Sequence, residues 1–164
     1  MIKLDQIDFK ILRNMQENGR LSNHDLAKKV GLSPSPCWRR VKRLEVEGII
    51  DHYAAILDGE KAGFHLIAFA HVMLEKHQMA MLDQFDAAIC ERPEVLEYYS
   101  MSGDYDFLMK VISRNIKEYE EFQTGFLMRL PVVRSVSTSF VLKQKKHTTR
   151  LPLRLLEEGT DWVS

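Results

Sequence analysis

The chain contains no apolar run long enough to cross a bilayer. The longest, LIAFAHVML over Leu66–Leu74, is interrupted by His71 and has the length of a strand. Its N-terminus begins directly with charged, helix-like sequence, so no signal peptide is expected. Cysteine is scarce: Cys37 and Cys90 stand far apart, and both read as small apolar core residues of a reducing compartment rather than as a disulfide. Together these absences predict a cytoplasmic protein with no membrane partner. The patterns of catalysis are missing too. There is no Walker-type loop and no CxxC or HExxH spacing. His24, His52, His65, His71, His77 and His147 are scattered without metal-ligand spacing, and Asp104 and Asp106 have no partnered nucleophile or base. No enzyme, catalytic residue, metal site or cofactor is expected.

Net charge is also lacking, since 23 Lys and Arg face 23 Asp and Glu. That balance would argue against a polyanionic partner if it were uniform. It is not: residues 1–52 hold 10 basic against 7 acidic side chains, and residues 53–164 hold 13 against 16. Affinity for nucleic acid follows the local field, so the positive N-terminal third remains a candidate.

Leu21–Ile50, LSNHDLAKKVGLSPSPCWRRVKRLEVEGII, reads as two short helices with a tight break. Leu26, Ala27 and Val30 give the first an apolar edge, and Gly31 can take the positive φ that a helix end needs. Ser33-Pro34 and Ser35-Pro36 each offer an N-cap followed by proline at the first helical position. Beyond them Cys37, Val41 and Leu44 recur as a buried side, while Trp38, Arg39, Arg40, Lys42 and Arg43 lie mostly opposite. No acidic residue interrupts Ser33–Leu44. A basic helix that begins with small hydroxyls, a tryptophan and guanidinium forks has the chemistry of a recognition helix in the major groove. Trp38, Arg39, Arg40, Lys42 and Arg43 are expected to meet bases or phosphates, with Asn23, Lys28, Ser33, Ser35 and Pro36 positioning the helix on double-stranded DNA. If about eight basic side chains of a dimer reach phosphates, log affinity should fall with log salt at a slope near roughly −7.

The preceding stretch Leu4–Asn18 predicts a supporting helix with Leu4, Ile7, Ile11, Leu12 and Met15 on one face. After Gly48, short extended segments around Asp51-His52 would form a small wing or a strand leading out. Downstream, strand signals at Leu66–Glu75, Val95–Met101, Phe107–Ser113 and from Val132 or Val133 to Lys143 alternate with helices at Met79–Glu91 and Ile116–Leu130. The order is βαββαβ, a ferredoxin-like sandwich. The predicted fold class is therefore α+β, a three-helix winged helix-turn-helix followed by a ferredoxin-like domain. Expected boundaries are 1–53 for the DNA-binding domain, 54–63 for a hinge strand, 64–152 for the second domain and 153–164 for a tail. Leu66–Leu74 and Phe107–Ile112 are apolar at almost every position, as in strands buried on both sides. Helices cover one face; the other is expected to meet the same sheet of a second copy.

The LSPSPCWRRVKRLEVEGII block followed by a βαββαβ domain containing SGDYDFLMKV resembles the leucine-responsive regulator/AsnC family of transcription factors, from about Leu4 to Pro152. The resemblance implies dimers assembling to tetramers or octamers, in association with the nucleoid, and an effector that modulates assembly or DNA affinity. The effector, usually an amino acid, would bind near the glycine-containing turn and the last strand. The matching positions are Met101, Gly103, Asp104, Tyr105 and Asp106, with Arg134, Ser135, Ser137, Thr138 and Ser139. Backbone N–H groups around Gly103 could hold a carboxylate and Asp104 or Asp106 an ammonium. PCWRRVKRLE and KHTTRLP look closer to members concerned with cysteine or proline catabolism. Two rival readings are an effector-independent DNA-organising protein and an RNA-binding ferredoxin-like module. The second would want exposed aromatic and basic residues on a sheet face that is here too aliphatic.

Overall fold

Asp5 starts the first helix, and it does so with both of its ends. Its side chain accepts hydrogen bonds from the Ile7 and Asp8 N–H groups at 2.9 Å each, while the Asp8 carboxylate accepts the Asp5 N–H at 3.0 Å. This capping box opens α1, Gln6–Glu17. The computed structural model describes residues 3–75 and 79–157, so His77 and positions 158–164 of the expected tail lie outside it. Ser22 caps α2, Asn23–Val30, through the Asp25 N–H, and Gly31 ends it at φ 75°. α3, Pro34–Val46, begins with proline at its first position after Ser33, whose own side chain makes no cap bond. Phe9, Ile11 and Leu12 of α1, Leu26, Ala27 and Val30 of α2, and Cys37 and Leu44 of α3 form one core.

The chain divides into two compact units. The first is this three-helix body, and it includes residues from the other end of the sequence. Leu153 is 7% exposed within the α1–α3 core, and a short helix α6, Arg154–Glu157, follows it. The Gln16 side chain fixes the approach: the Leu151 N–H donates to its Oε1 at 2.6 Å, and its Nε2 donates to the Leu151 carbonyl at 3.3 Å. Leu153→Ala should lower the stability of this unit by about 2 kcal/mol, the low end for a buried leucine. An unchanged urea midpoint would show that the returning segment adds nothing.

The segments expected to make a wing or an outgoing strand form no ladder among the described residues. The Ile49 and Ile50 N–H groups are already spent on the Leu44 carbonyl, at 2.9 and 3.1 Å, closing the end of α3 with Gly48 at φ 72°. Tyr53 instead ties the following chain back to α3 by donating to Glu45 Oε1 at 2.9 Å. Burial and the neighbouring Glu45 carboxylate push the Tyr53 phenol up to about 12.

The second unit, residues 56–145, is a four-stranded antiparallel sheet in the order β2-β3-β1-β4. Its strands are β1, Leu66–Leu74; β2, Val95–Ser100; β3, Phe107–Ser113; and β4, Val133–Phe140. α4, Met79–Cys90, follows β1, and α5, Ile116–Gly125, follows β3. The connectivity is βαββαβ, as expected from the sequence. Ala68, Ala70, Val72 and Leu74 of β1 and Met109 and Val111 of β3 are buried with Phe85 and Ile89 of α4 and Tyr119 and Phe122 of α5.

Two details differ from the sequence reading. The helix expected over Ile116–Leu130 stops at Gly125, and the chain turns through a 3-10 segment, Leu127–Arg129, which carries Leu127 inward. Cys90 is exposed at the end of α4, whereas Cys37 is fully buried and burial pushes its thiol up. Only Cys37 is a core residue.

Candidate DNA interface and effector site

The exposed side of α3 carries Ser35, Trp38, Arg39 and Lys42. Trp38 is 53% exposed, a large apolar surface left in solvent beside cations. Among the described residues the side chains of Ser35, Trp38 and Arg39 have no hydrogen-bond or ion-pair partner, and Lys28 on α2 is likewise exposed. Lys42 reaches Glu45 at 2.6 Å, an exposed pair that water and salt weaken. Asn23 braces rather than reads, since its Nδ2 donates to the Pro34 carbonyl at 2.8 Å and holds the start of α3 against α2. Ser33 is the N-cap of α3 and Pro36 lies in its first turn, half-buried.

Sequence groups Arg40 and Arg43 with the DNA-facing cations, and the structure gives them a second set of partners. Arg40 Nη1 lies 2.7 Å from Asp5 Oδ2 and 2.8 Å from Asp8 Oδ1, and Arg43 Nη2 lies 2.5 Å from Asp8 Oδ2. The Asp8 side chain is 1% exposed. The sequence reading misses Asp8, yet the signal is there. Asp8 follows Leu4 by four positions and precedes Ile11 and Leu12 by three and four, which puts an acid on the apolar stripe of α1. The Asp8 N–H and then the Arg40 guanidinium hold the Asp5 carboxyl below the usual carboxylate range. Asp5 and Asp8 in turn raise Arg40.

In the second unit the expected effector residues fall into three settings. At the turn, Gly103 sits at φ 127°, and Met101 and Asp104 are exposed. Asp106 is built into the backbone: its N–H donates to the Val72 carbonyl at 3.0 Å and its Oδ2 accepts the Leu74 N–H at 2.7 Å. Tyr105 lies against His71, ring centres 5.0 Å apart.

On β4 the pleat separates the candidates. Arg134 is exposed near the strand's start. Ser135, Ser137 and Ser139 oppose Met73, His71 and Phe69 of β1 on the helix-free face. Thr138 points the other way, into the helix layer, where its hydroxyl lies 2.6 Å from that of buried Tyr119. The structure therefore brings Tyr105, His71 and the serines to one face and leaves Thr138 on the opposite one. The hydroxyls of Ser137, Thr138 and Ser139 do not form one cluster.

These two units match two known domains. Residues 4–51 match a winged helix-turn-helix DNA-binding domain, and residues 67–151 match the Lrp/AsnC ligand-binding domain. The chain belongs to the Lrp/AsnC family of transcription regulators. It is 40% identical over 150 residues to the DNA-binding transcriptional activator DecR of Escherichia coli, covering 92% of this chain and 99% of DecR. It is equally 40% identical, over 153 residues, to the Bkd operon transcriptional regulator of Pseudomonas aeruginosa, covering 93% and 100%. Among solved structures, a Neisseria meningitidis transcriptional regulator in complex with L-Met superposes with a TM-score of 0.91 at 41% identity, covering 94% of this chain and 99% of that one. This Lrp/AsnC protein is thus a DNA-binding transcription regulator with a ligand-binding domain, not an enzyme. Among its described residues, no helix is long and apolar enough to cross a membrane.

Proposed function

We propose that this protein is an amino-acid-responsive regulator that reads double-stranded DNA with Ser35, Trp38, Arg39 and Lys42. Its effector meets Met101, Gly103, Asp104, Tyr105 and the serines of β4. The observation that carries the DNA reading is the exposed Trp38–Arg39 pair, whose side chains have no partner among the described residues, on the second helix of a helix-turn-helix. For the effector, sequence alone leans to the cysteine or proline class. The methionine bound to a relative of 41% identity supports the sulfur-containing side of that choice. The helix-free sheet face carries Ile67, Phe69, Met73, Leu108 and Ile112, all half-buried, and supports a homodimer that builds to tetramers or octamers. An effector changes DNA affinity only if it binds one assembly better than another, so a site beside such an interface is well placed for coupling.

A thermal-shift screen against the twenty amino acids tests the effector. Native-state binding adds about 2.7 kcal/mol of stability at a hundred times the dissociation constant. Methionine or cysteine should raise the melting temperature, and Asp104→Ala should remove the rise. No shift with any amino acid at millimolar concentration would replace this reading with an effector-independent DNA-organising protein.

A further inference from the structure

Two of the cations on the recognition helix are bound to a carboxylate that solvent does not reach. Asp8 accepts from the Asp5 N–H and Arg43 at Oδ2 and from Arg40 at Oδ1, so both of its oxygens are engaged. Arg40 is held from a second side by Asp5, and Arg43 Nε lies 3.6 Å from Glu47. A buried carboxylate that loses its cations is strongly destabilised, so these arginines are not free to leave for a phosphate. Arg39, one position away, has no such tie among the described residues.

We infer that Asp8 is a positioning residue for DNA recognition: it ties Arg40 and Arg43 to α1, so that they orient α3 and take no phosphate. The reading surface is then the face bearing Ser35, Trp38, Arg39 and Lys42. Asp8 thereby limits sequence-independent affinity, because each cation withheld from the backbone removes one released counterion. The inference rests on the assignment of α3 to DNA.

The test is the slope of log affinity against log salt for the full-length protein on a mixed-sequence DNA duplex, with melting temperature measured in parallel. Arg39→Gln should flatten the slope by about 0.9 per protomer and leave the melting temperature in place. Arg40→Gln and Arg43→Gln should lower the melting temperature and leave the slope unchanged. Asp8→Asn, which keeps the shape but releases a guanidinium, should steepen the slope by about 0.9 per protomer. A purely structural Asp8 would move the melting temperature and not the slope. Flattening by Arg40→Gln or Arg43→Gln as large as that by Arg39→Gln would overturn the inference, and so would an unchanged slope in Asp8→Asn. A slope indifferent to Arg39→Gln is a separate failure, that of the DNA reading of α3.

Discussion

If the proposed homodimer forms through the helix-free sheet face, Phe69→Asp is expected to leave single chains and to weaken DNA binding about a hundredfold. Phe69 lies midway along β1 on the helix-free face, paired across to Lys110 of β3 and Ser139 of β4. Around it Ile67, Met73, Leu108 and Ile112 present apolar surface that no element of the same unit fully covers. A two-fold interface meets every substitution twice, so one change places two carboxylates in the same apolar contact. Each costs several kcal/mol to remove from water without a cation. Lys110, the cross-strand neighbour, is already engaged by Glu97 at 2.7 Å. Dissociation then removes the second reader from the same DNA molecule, which is where the loss of affinity arises. Light scattering reads the mass directly. Lys117→Asp, an exposed change on α5, should leave the assembly intact. An unchanged mass for Phe69→Asp would place the interface elsewhere.

Much of the architecture was legible because both periodicities were strong. Every third or fourth residue of α2 and α3 is apolar, and the βαββαβ order follows from strand signals separated by two amphipathic helices. What periodicity could not supply was the fate of individual backbone groups. Ile49 and Ile50 look like strand residues, yet their N–H groups close the end of α3 through Leu44, and a donor used there cannot join a ladder. Nor could it show that the last leucines return to the first unit. Leu151, Leu153 and Leu155 alternate over too short a stretch to say what they pack on, and the Gln16 amide holds Leu151 across a separation of 135 positions.

The candidate sites were legible as regions and less so as residues. The basic side of α3 was evident from composition alone. Its division into tied and untied cations was hidden, because Arg39, Arg40, Lys42 and Arg43 look alike until their partners on α1 are known. At the turn, Asp104 and Asp106 are equivalent carboxylates in the sequence, but only Asp106 is consumed by a backbone N–H of β1. On β4 the alternation rule itself separates Thr138 from Ser137 and Ser139. A run of hydroxyls reads as one polar strip only while that rule is left out.

The second large effect concerns the Asp8 brace, and its signature is a change of sign. Arg40→Ala together with Arg43→Ala should destabilise the first unit by about 3–5 kcal/mol, since a carboxylate 1% exposed would lose both of its cations. Asp8→Asn alone is also expected to destabilise, because an amide nitrogen would then face a guanidinium. Placed in the double-arginine variant, however, Asp8→Asn should restore much of the lost stability: no charge is left to bury, and the amide oxygen still accepts the Asp5 N–H. The same substitution is therefore harmful in one background and beneficial in the other, and a denaturation cycle over the four proteins measures the coupling. Equal effects in both backgrounds would mean that Asp8 gains nothing from its arginines. The brace would then be incidental, and α3 would be held by its apolar contacts through Cys37 and Leu44 and by the Asn23–Pro34 hydrogen bond.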